Sequence, residues 1–254
     1  MIPLKSDKEI EIMRRGGAIL AKIMKKIANM AKPGITTQEL NRAASALVFN
    51  YGAEPAFLNH GGFPAVLCAS VNNVVVHGVP SNYALAPGDI VGLDLGIKYQ
   101  GYYTDMAVTV QLPITNFQFP IKTDKSQKLV RAAKKALDIA IKMAKPGATL
   151  GDISFAVQEY VEKQGFNVVR DLCGHGIGKS LHEEPQILNY GKRGEGEVLK
   201  SGMVLCFEPM ITNGGWKIKK SADGFGYETA DGFLSTHFEH TVAIGKKSAI
   251  VLTK

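Results

Sequence analysis

The sequence predicts an α+β fold: helices cover a curved antiparallel sheet, and two duplicated halves are related by a pseudo-two-fold axis. Three observations predict it. First, Met30-Ala-Lys-Pro-Gly-Ile-Thr-Thr-Gln-Glu-Leu40 returns 113 residues later as Met143-Ala-Lys-Pro-Gly-Ala-Thr-Leu-Gly-Asp-Ile153. Second, Pro87-Gly-Asp-Ile-Val-Gly-Leu-Asp94 returns 114 residues later as Ser201-Gly-Met-Val-Leu-Cys-Phe-Glu208, each a turn entering an apolar strand that ends in a carboxylate. Third, Asp105-Met-Ala-Val-Thr-Val110 and Glu239-His-Thr-Val-Ala-Ile244 each open a β-rich run with a carboxylate, and His77-Gly-Val-Pro80 and His182-Glu-Glu-Pro185 share His-x-x-Pro. Two copies are too few for a solenoid. They predict one domain spanning 1–254, with halves of about 1–113 and 125–254.

Each element has a local reason. A helix over about 7–31 starts at the capping pair Ser6 and Glu9. Lys32-Pro33-Gly34 and Lys145-Pro146-Gly147 stop one helix and begin another. Thr36 with Glu39 and Thr149 with Asp152 cap helices over about 37–51 and 150–164. Apolar residues at helical spacing follow in both copies: Leu40, Ala43, Ala44 and Leu47, then Ile153, Ala156, Val157 and Tyr160. A further helix covers about 125–144. Strands are predicted at about 65–70, 73–77, 89–97, 102–110, 167–172, 203–210 and 237–244. Tyr99-Gln100-Gly101 makes a hairpin turn between two of them. Leu112 to Lys122, with two prolines, links the halves.

Composition narrows the function class. The 254 residues are 45% hydrophobic and 21% charged, a globular balance with length enough for a sizeable core. No run approaches the 18 or so uninterrupted apolar residues of a membrane span, and the N-terminus lacks the basic, apolar and small-residue regions of a secretory signal. Cys68, Cys173 and Cys206 are odd in number and widely spaced, without Cys-x-x-Cys, which argues against disulfides or a zinc knuckle and for a reducing cytoplasm. The net charge of +7 is compatible with a polyanionic neighbour without defining one.

Ionised carboxylates are rarely buried unpaired. Yet Asp94 interrupts Ile90-Val-Gly-Leu-Asp-Leu-Gly96, and Glu208 interrupts Val204-Leu-Cys-Phe-Glu-Pro-Met210. Asp105 and Glu239 lie in similar surroundings. One such residue reads equally as a salt-bridged edge-strand carboxylate. Four at duplicated positions point to shared cations, and divalent metals neutralise several carboxylates at once. His175, inside Cys173-Gly-His-Gly-Ile-Gly178, supplies an imidazole beside glycines that let backbone approach a site closely. The loop has neither the spacing of a Walker loop nor the Gly-x-Gly-x-x-Gly form. Oxygen ligands with one imidazole suit a dinuclear hydrolytic site of Mn, Fe(II), Co or Zn.

These residues resemble the type I methionine aminopeptidases over essentially the whole chain. The motifs that carry the resemblance are Asn72-Asn-Val-Val-Val-His-Gly-Val-Pro80, Asp94 and Asp105, Gly174-His-Gly-Ile-Gly178, His182-Glu-Glu-Pro185, Phe207-Glu-Pro-Met210 and Phe238-Glu-His-Thr241. The resemblance implies the pita-bread fold and removal of N-terminal methionine from nascent chains with a small second residue. It implies two divalent ions (Co, Mn, Fe(II), Zn or Ni). Asp105 and Glu239 bridge them, His175 and Glu208 complete one shell, and Asp94 chelates the other. Glu208 also accepts a proton from the nucleophilic water. His77 lies near the scissile amide nitrogen and His182 near the carbonyl oxygen. The methionine pocket maps to His60, Phe63, Cys68, Leu181 and Phe225. Three of these depart from the family pattern: His60 replaces a usual Tyr, Leu181 a common aromatic, and Phe225 a frequent Trp.

The resemblance also implies a short, bacterial-type, cytoplasmic monomer. Lys217, Lys219 and Lys220 match the family's basic loop that faces the ribosome; a solvated charged face is the other reading of the same residues. Three rivals share the fold, one of them creatinase-like chemistry, which lacks the metal-binding carboxylates. Proline-specific aminopeptidases and prolidases usually carry an extra N-terminal domain, and metal-free pita-bread binding proteins lose ligands that are all kept here.

Overall fold

The computed structural model describes residues 2–113 and 120–254. The predicted link, Leu112 to Lys122, lies partly outside them. The four helices form as expected: α1 (Asp7–Met30), α2 (Thr37–Asn50), α3 (Pro120–Met143) and α4 (Leu150–Lys163). The boxes Ser6/Glu9, Thr36/Glu39 and Thr149/Asp152 all close, each side chain bonding the other residue's backbone N–H. Each such cap is worth about 1 kcal/mol. Helix α3 begins before the predicted 125, at a proline, which fits a first turn whose N–H needs no intrahelical partner.

The main sheet is antiparallel throughout. Its order is Glu54–Pro55, Ile90–Tyr99, Tyr102–Gln111, Glu239–Ile244, Val204–Phe207, Cys173–Gly176 and Glu183–Leu188. Cys68–Val71 and Ala249–Val251 pair off this path. The Gln100-Gly101 turn has both φ values positive, 49° and 84°, as a tight hairpin requires. The joint between the two parts of the sheet is short. Only Glu239 and His240 pair there, with Ala107 and Met106.

Side-chain alternation sorts the sheet into two faces. Val91, Leu93, Leu95 and Ile97 turn toward α1 and α2, packing with Leu20, Ile23, Ile27 and Leu40. Leu205, Phe207, Val242 and Ile244 do the same with α3 and α4. Asp94 lies on the opposite face. The echo of the sequence persists in small contacts: Thr36 bridges Ala84, and its counterpart Thr149 bridges Val198.

Several strand predictions need correction. The run 203–210 is two strands, Val204–Phe207 and Met210–Thr212, because Pro209 has no N–H for a ladder. The run 237–244 likewise splits at Phe238 into Ser235–His237 and Glu239–Ile244. At both breaks the chain passes from the main sheet to a smaller three-stranded one (Ser235–His237, Met210–Thr212 and Asn167–Val168), where Met210 pairs with His237. Only Asn167–Val168 of 167–172 is strand. Cys173–Gly176, expected as a turn, is a strand, and Glu183–Leu188 beside it went unpredicted. The glycines explain the first. A Cβ at Gly174 would meet Cys206 O at 2.3 Å, and one at Gly176 would meet Glu184 O at 2.2 Å, so the strand fits between its neighbours only without side chains there.

Candidate functional site

The sheet register assembles the carboxylates. Cys68 pairs with Asp94, Asp94 with Ala107, and Ala107 with Glu239, so the four form one row across four strands. In the next row Gly96 pairs with Asp105. Asp105 and Ala107 are two residues apart and share a face. Thr241 then pairs with Cys206 and Cys206 with His175. Ala107 keeps the first row small between Asp94 and Glu239, and Gly96 in the second lets Phe57 and Ala56 pack against the strand, where a Cβ would meet them at 2.8 and 2.9 Å.

Asp94, Asp105 and Glu239 bring ligand atoms within 4.8 Å of one another. His175 Nε2 lies 3.7 Å from Glu208 Oε1 and 4.0 Å from Glu239 Oε1. Thr241 fixes Asp105: its hydroxyl accepts from Asp105 N and donates to Asp105 O, both at 2.8 Å. Glu208 follows the Val204–Phe207 strand directly, and its carbonyl is held by Asn189 Nδ2 at 3.1 Å.

Electrostatics demand a cation. Burial, then the charges of its neighbours, pushes Asp94 and Glu239 well above the ordinary carboxylate range, and burial alone does so for Glu208. Asp105 is pushed up to about 7, chiefly by burial and then by Glu208. The basic side chains that pair with Glu208 and Glu239 are histidines held neutral. Burial lowers both His175 and His237 to about 4. Asp94 Oδ1 and Glu239 Oε1 are buried with no hydrogen-bond partner. Buried unpaired carboxylate oxygens around a neutral imidazole are the donor set of a Mn, Fe, Co or Zn site, so the residues present fit divalent metal. Cys206 Sγ also reaches His175 and Glu239, but it lies 3.6 Å from Thr241 Oγ1 and burial raises its thiol well above the usual range. A thiol that keeps its proton is a poor ligand. Asp94, Asp105, His175, Glu208 and Glu239 remain the ligand candidates.

All twelve residues expected from the sequence to act as ligands, catalytic groups or methionine-pocket walls line one cavity of about 300 Å³. Phe63, Cys68 and Leu181 are buried in its wall, and Phe63 meets Phe225 edge-on with ring centres 5.6 Å apart. The His182 ring lies 4.5 Å from that of His175 and 5.2 Å from that of His60. His77 has φ 57°, a left-handed conformation unusual for a non-glycine residue. Burial lowers its pKa to about 4, with smaller contributions from His237, His182, Lys220 and His60. Its ring packs 6.0 Å from Tyr227.

The sequence reading missed a neighbour of the carboxylates and part of the cavity wall. His237 Nε2 sits 3.3 Å from Glu208 Oε2. It directly precedes the Phe238–Thr241 motif, so a histidine next to a candidate ligand was the available signal. The cavity wall itself includes Tyr227 and Lys220. Lys220 Nζ donates to Phe225 O at 3.0 Å and lies 4.0 Å from the centre of the Tyr227 ring. It therefore differs from its two predicted companions. Lys219 pairs with Glu228 at 3.3 Å, and Lys217 lies 6.0 Å from the Trp216 ring.

A sheet-borne cluster of carboxylates and one imidazole under an apolar cavity defines a class of metal-dependent hydrolase. Residues 11–246 match the model of metallopeptidase family M24. The methionine aminopeptidase of Clostridium perfringens is 43% identical over 253 residues, covering 100% of this chain and 99% of the relative. The crystal structure of methionine aminopeptidase from Thermotoga maritima superposes with a TM-score of 0.95 at 42% identity, over 100% of both chains. The prolidase of Pyrococcus horikoshii gives a TM-score of 0.76 at 25% identity, and the match covers 99% of this chain but 63% of the prolidase. The chain belongs to metallopeptidase family M24, on its methionine aminopeptidase branch, and has the pita-bread fold.

Proposed function

We propose that this chain removes the N-terminal methionine from nascent proteins and peptides whose second residue is small, working as a single catalytic domain over 1–254. The observation that carries the reading is the junction of an apolar cavity with buried carboxylate oxygens that have no partner. Asp94, Asp105, His175, Glu208 and Glu239 hold two divalent ions in this reading. Such ions, when bound, lower the pKa of a coordinated water and stabilise an oxyanion.

The protein side chains do the rest. Glu208 accepts the proton of the attacking water, a role suited to a carboxyl whose pKa burial has raised. His182 donates a hydrogen bond to the carbonyl oxygen as it becomes negative. His77, neutral at physiological pH, hydrogen-bonds the scissile amide nitrogen. Phe63, Cys68, Leu181 and Phe225, with His60 at the rim, hold the methionine side chain. A thioether packs well among aromatic rings and sulfur.

The same reading makes the chain a cytoplasmic monomer that meets emerging N-termini at the ribosome through its basic loop. No helix among the described residues is long and apolar enough to cross a membrane. The deciding experiment is a peptide panel (Met-Gly, Met-Leu, Leu-Gly and x-Pro starts) with each candidate ion. Release of methionine from Met-Gly alone is the expected result. Preferential cleavage before proline overturns the reading in favour of prolidase chemistry.

A further inference from the structure

Lys5 stands outside the cavity, near the start of the chain, yet it is among the few buried charged residues. Its Nζ lies 2.6 Å from Glu183 Oε2, and the two side chains are only 6% and 11% exposed. Its backbone N–H donates to Gly202 O at 2.7 Å, which ties it to the turn before the Val204–Phe207 strand. Glu183 is used on both oxygens. While Oε2 takes the ammonium, Oε1 accepts from Lys179 N at 2.7 Å and Ser180 N at 3.1 Å.

Those two bonds close the loop 178–183 on itself. Gly178 N also donates to Ser180 O at 3.1 Å, and Tyr103 N donates to Gly178 O at 2.8 Å. Leu181 and His182, the residues this loop presents to the cavity, lie between the closing amides and Glu183. The fit is close. A Cβ on Gly178 would come within 2.4 Å of Lys5 Cε and 2.9 Å of Glu183 Oε1. A chain of direct contacts therefore runs from the N-terminal segment to the residue beside His182.

We propose that the Lys5–Glu183 ion pair is the positioning device for His182, so that the N-terminal segment sets the placement of a catalytic side chain it never touches. A buried charge pair is a poor source of stability in itself, because desolvation offsets the attraction. It does hold its two ends in one geometry, and a reacting group displaced by about 1 Å loses about 100-fold in rate. The inference rests on the role given to His182 above.

The test is a double-mutant cycle on the metal-loaded enzyme, pairing Lys5→Met with His182→Ala. Lys5→Met is expected to lower kcat about 10- to 100-fold, with KM and metal content unchanged. In the His182→Ala background it is expected to cause no further loss. Wild-type kcat in folded Lys5→Met, or losses that add, overturns the proposal. Should Lys5→Met unfold, Glu183→Gln takes its place, since its amide oxygen still accepts from the Lys179 and Ser180 amides. If His182→Ala alone keeps full activity, the role of His182 falls first. That result differs from one in which His182→Ala is slow and Lys5→Met is not.

Discussion

Asp94 and Glu239 face each other across a single residue: Ala107 is the cross-strand partner of both. The two carboxylates come from opposite halves of the sequence, their ligand atoms lie within 4.8 Å, and the side chain on the strand between them is a single methyl group. Ala107→Val is therefore expected to weaken divalent-ion binding while the protein stays folded. The added methyls cost about 1–3 kcal/mol in overpacking. Isothermal titration calorimetry checks the affinity, and unchanged binding would show that the row needs no such gap.

The same row stores repulsion when no ion is bound. Asp94→Asn replaces a carboxyl that burial and its acidic neighbours make costly to ionise with a neutral amide, which is expected to raise the melting temperature of the chelated protein. It is expected also to abolish the rise in melting temperature that added ion produces in the wild type. A melting curve with chelator and one with metal measure both effects.

His77 touches no metal-ligand candidate in this arrangement. His77→Ala is expected to lower kcat on a Met-Gly peptide about 100-fold or more with metal content intact. Metal loss, measured by elemental analysis, would assign His77 a different role.

The lysines separate into two tests. Lys217→Ala with Lys219→Ala is expected to abolish salt-sensitive ribosome association in a sedimentation assay while peptide turnover is unchanged. Lys220→Ala is expected to alter KM on peptides, because its side chain holds Phe225 O at the cavity. Ribosome binding unaffected by the double substitution removes the docking idea.

A pH effect arises away from the site. Tyr102 donates to Glu9 Oε1 at 2.6 Å, and this bond, followed by those from Ser6, holds the Glu9 carboxyl at about 2 against its ordinary 4.5. A depressed carboxyl adds stability above its unfolded pKa and loses it as pH falls. The stability advantage of wild type over Tyr102→Phe is thus expected to be constant above pH 4.5 and to shrink toward about pH 2. Denaturant midpoints across that window check it.

The acidic ligand candidates were legible because a carboxylate in an apolar strand run is conspicuous, and because Asp94 and Glu208 recur at matching positions. The helices were legible through their caps. What stayed hidden depended on tertiary geometry. The break at Phe238 turns His237 into the smaller sheet and against Glu208, and alternation along an unbroken strand gives no hint of that. Glycine in Cys173–Gly176 reads locally as a turn, and only the carbonyls packed on both sides reveal a strand. Lys220 looked like its neighbours until Tyr227 and Phe225 were seen beside it. Lys5 carries no local mark at all, because its partner is 178 residues away.

The joint between the two parts of the sheet consists of two residue pairs, Glu239 with Ala107 and His240 with Met106. So short a ladder contributes little backbone cohesion beyond the two bonds of the Thr241 hydroxyl to Asp105, and the acidic side chains gathered over it oppose one another's ionisation. An ion that neutralised them would act as a rivet as well as a reagent: on the proposed ligand set, coordination spanning Asp94 and Asp105 on one side and His175, Glu208 and Glu239 on the other would join the parts where the backbone ladder is shortest. In such an arrangement the affinity for the ion and the cohesion of the molecule are one quantity. A cell short of the right ion would then lose the enzyme's structural integrity along with its turnover.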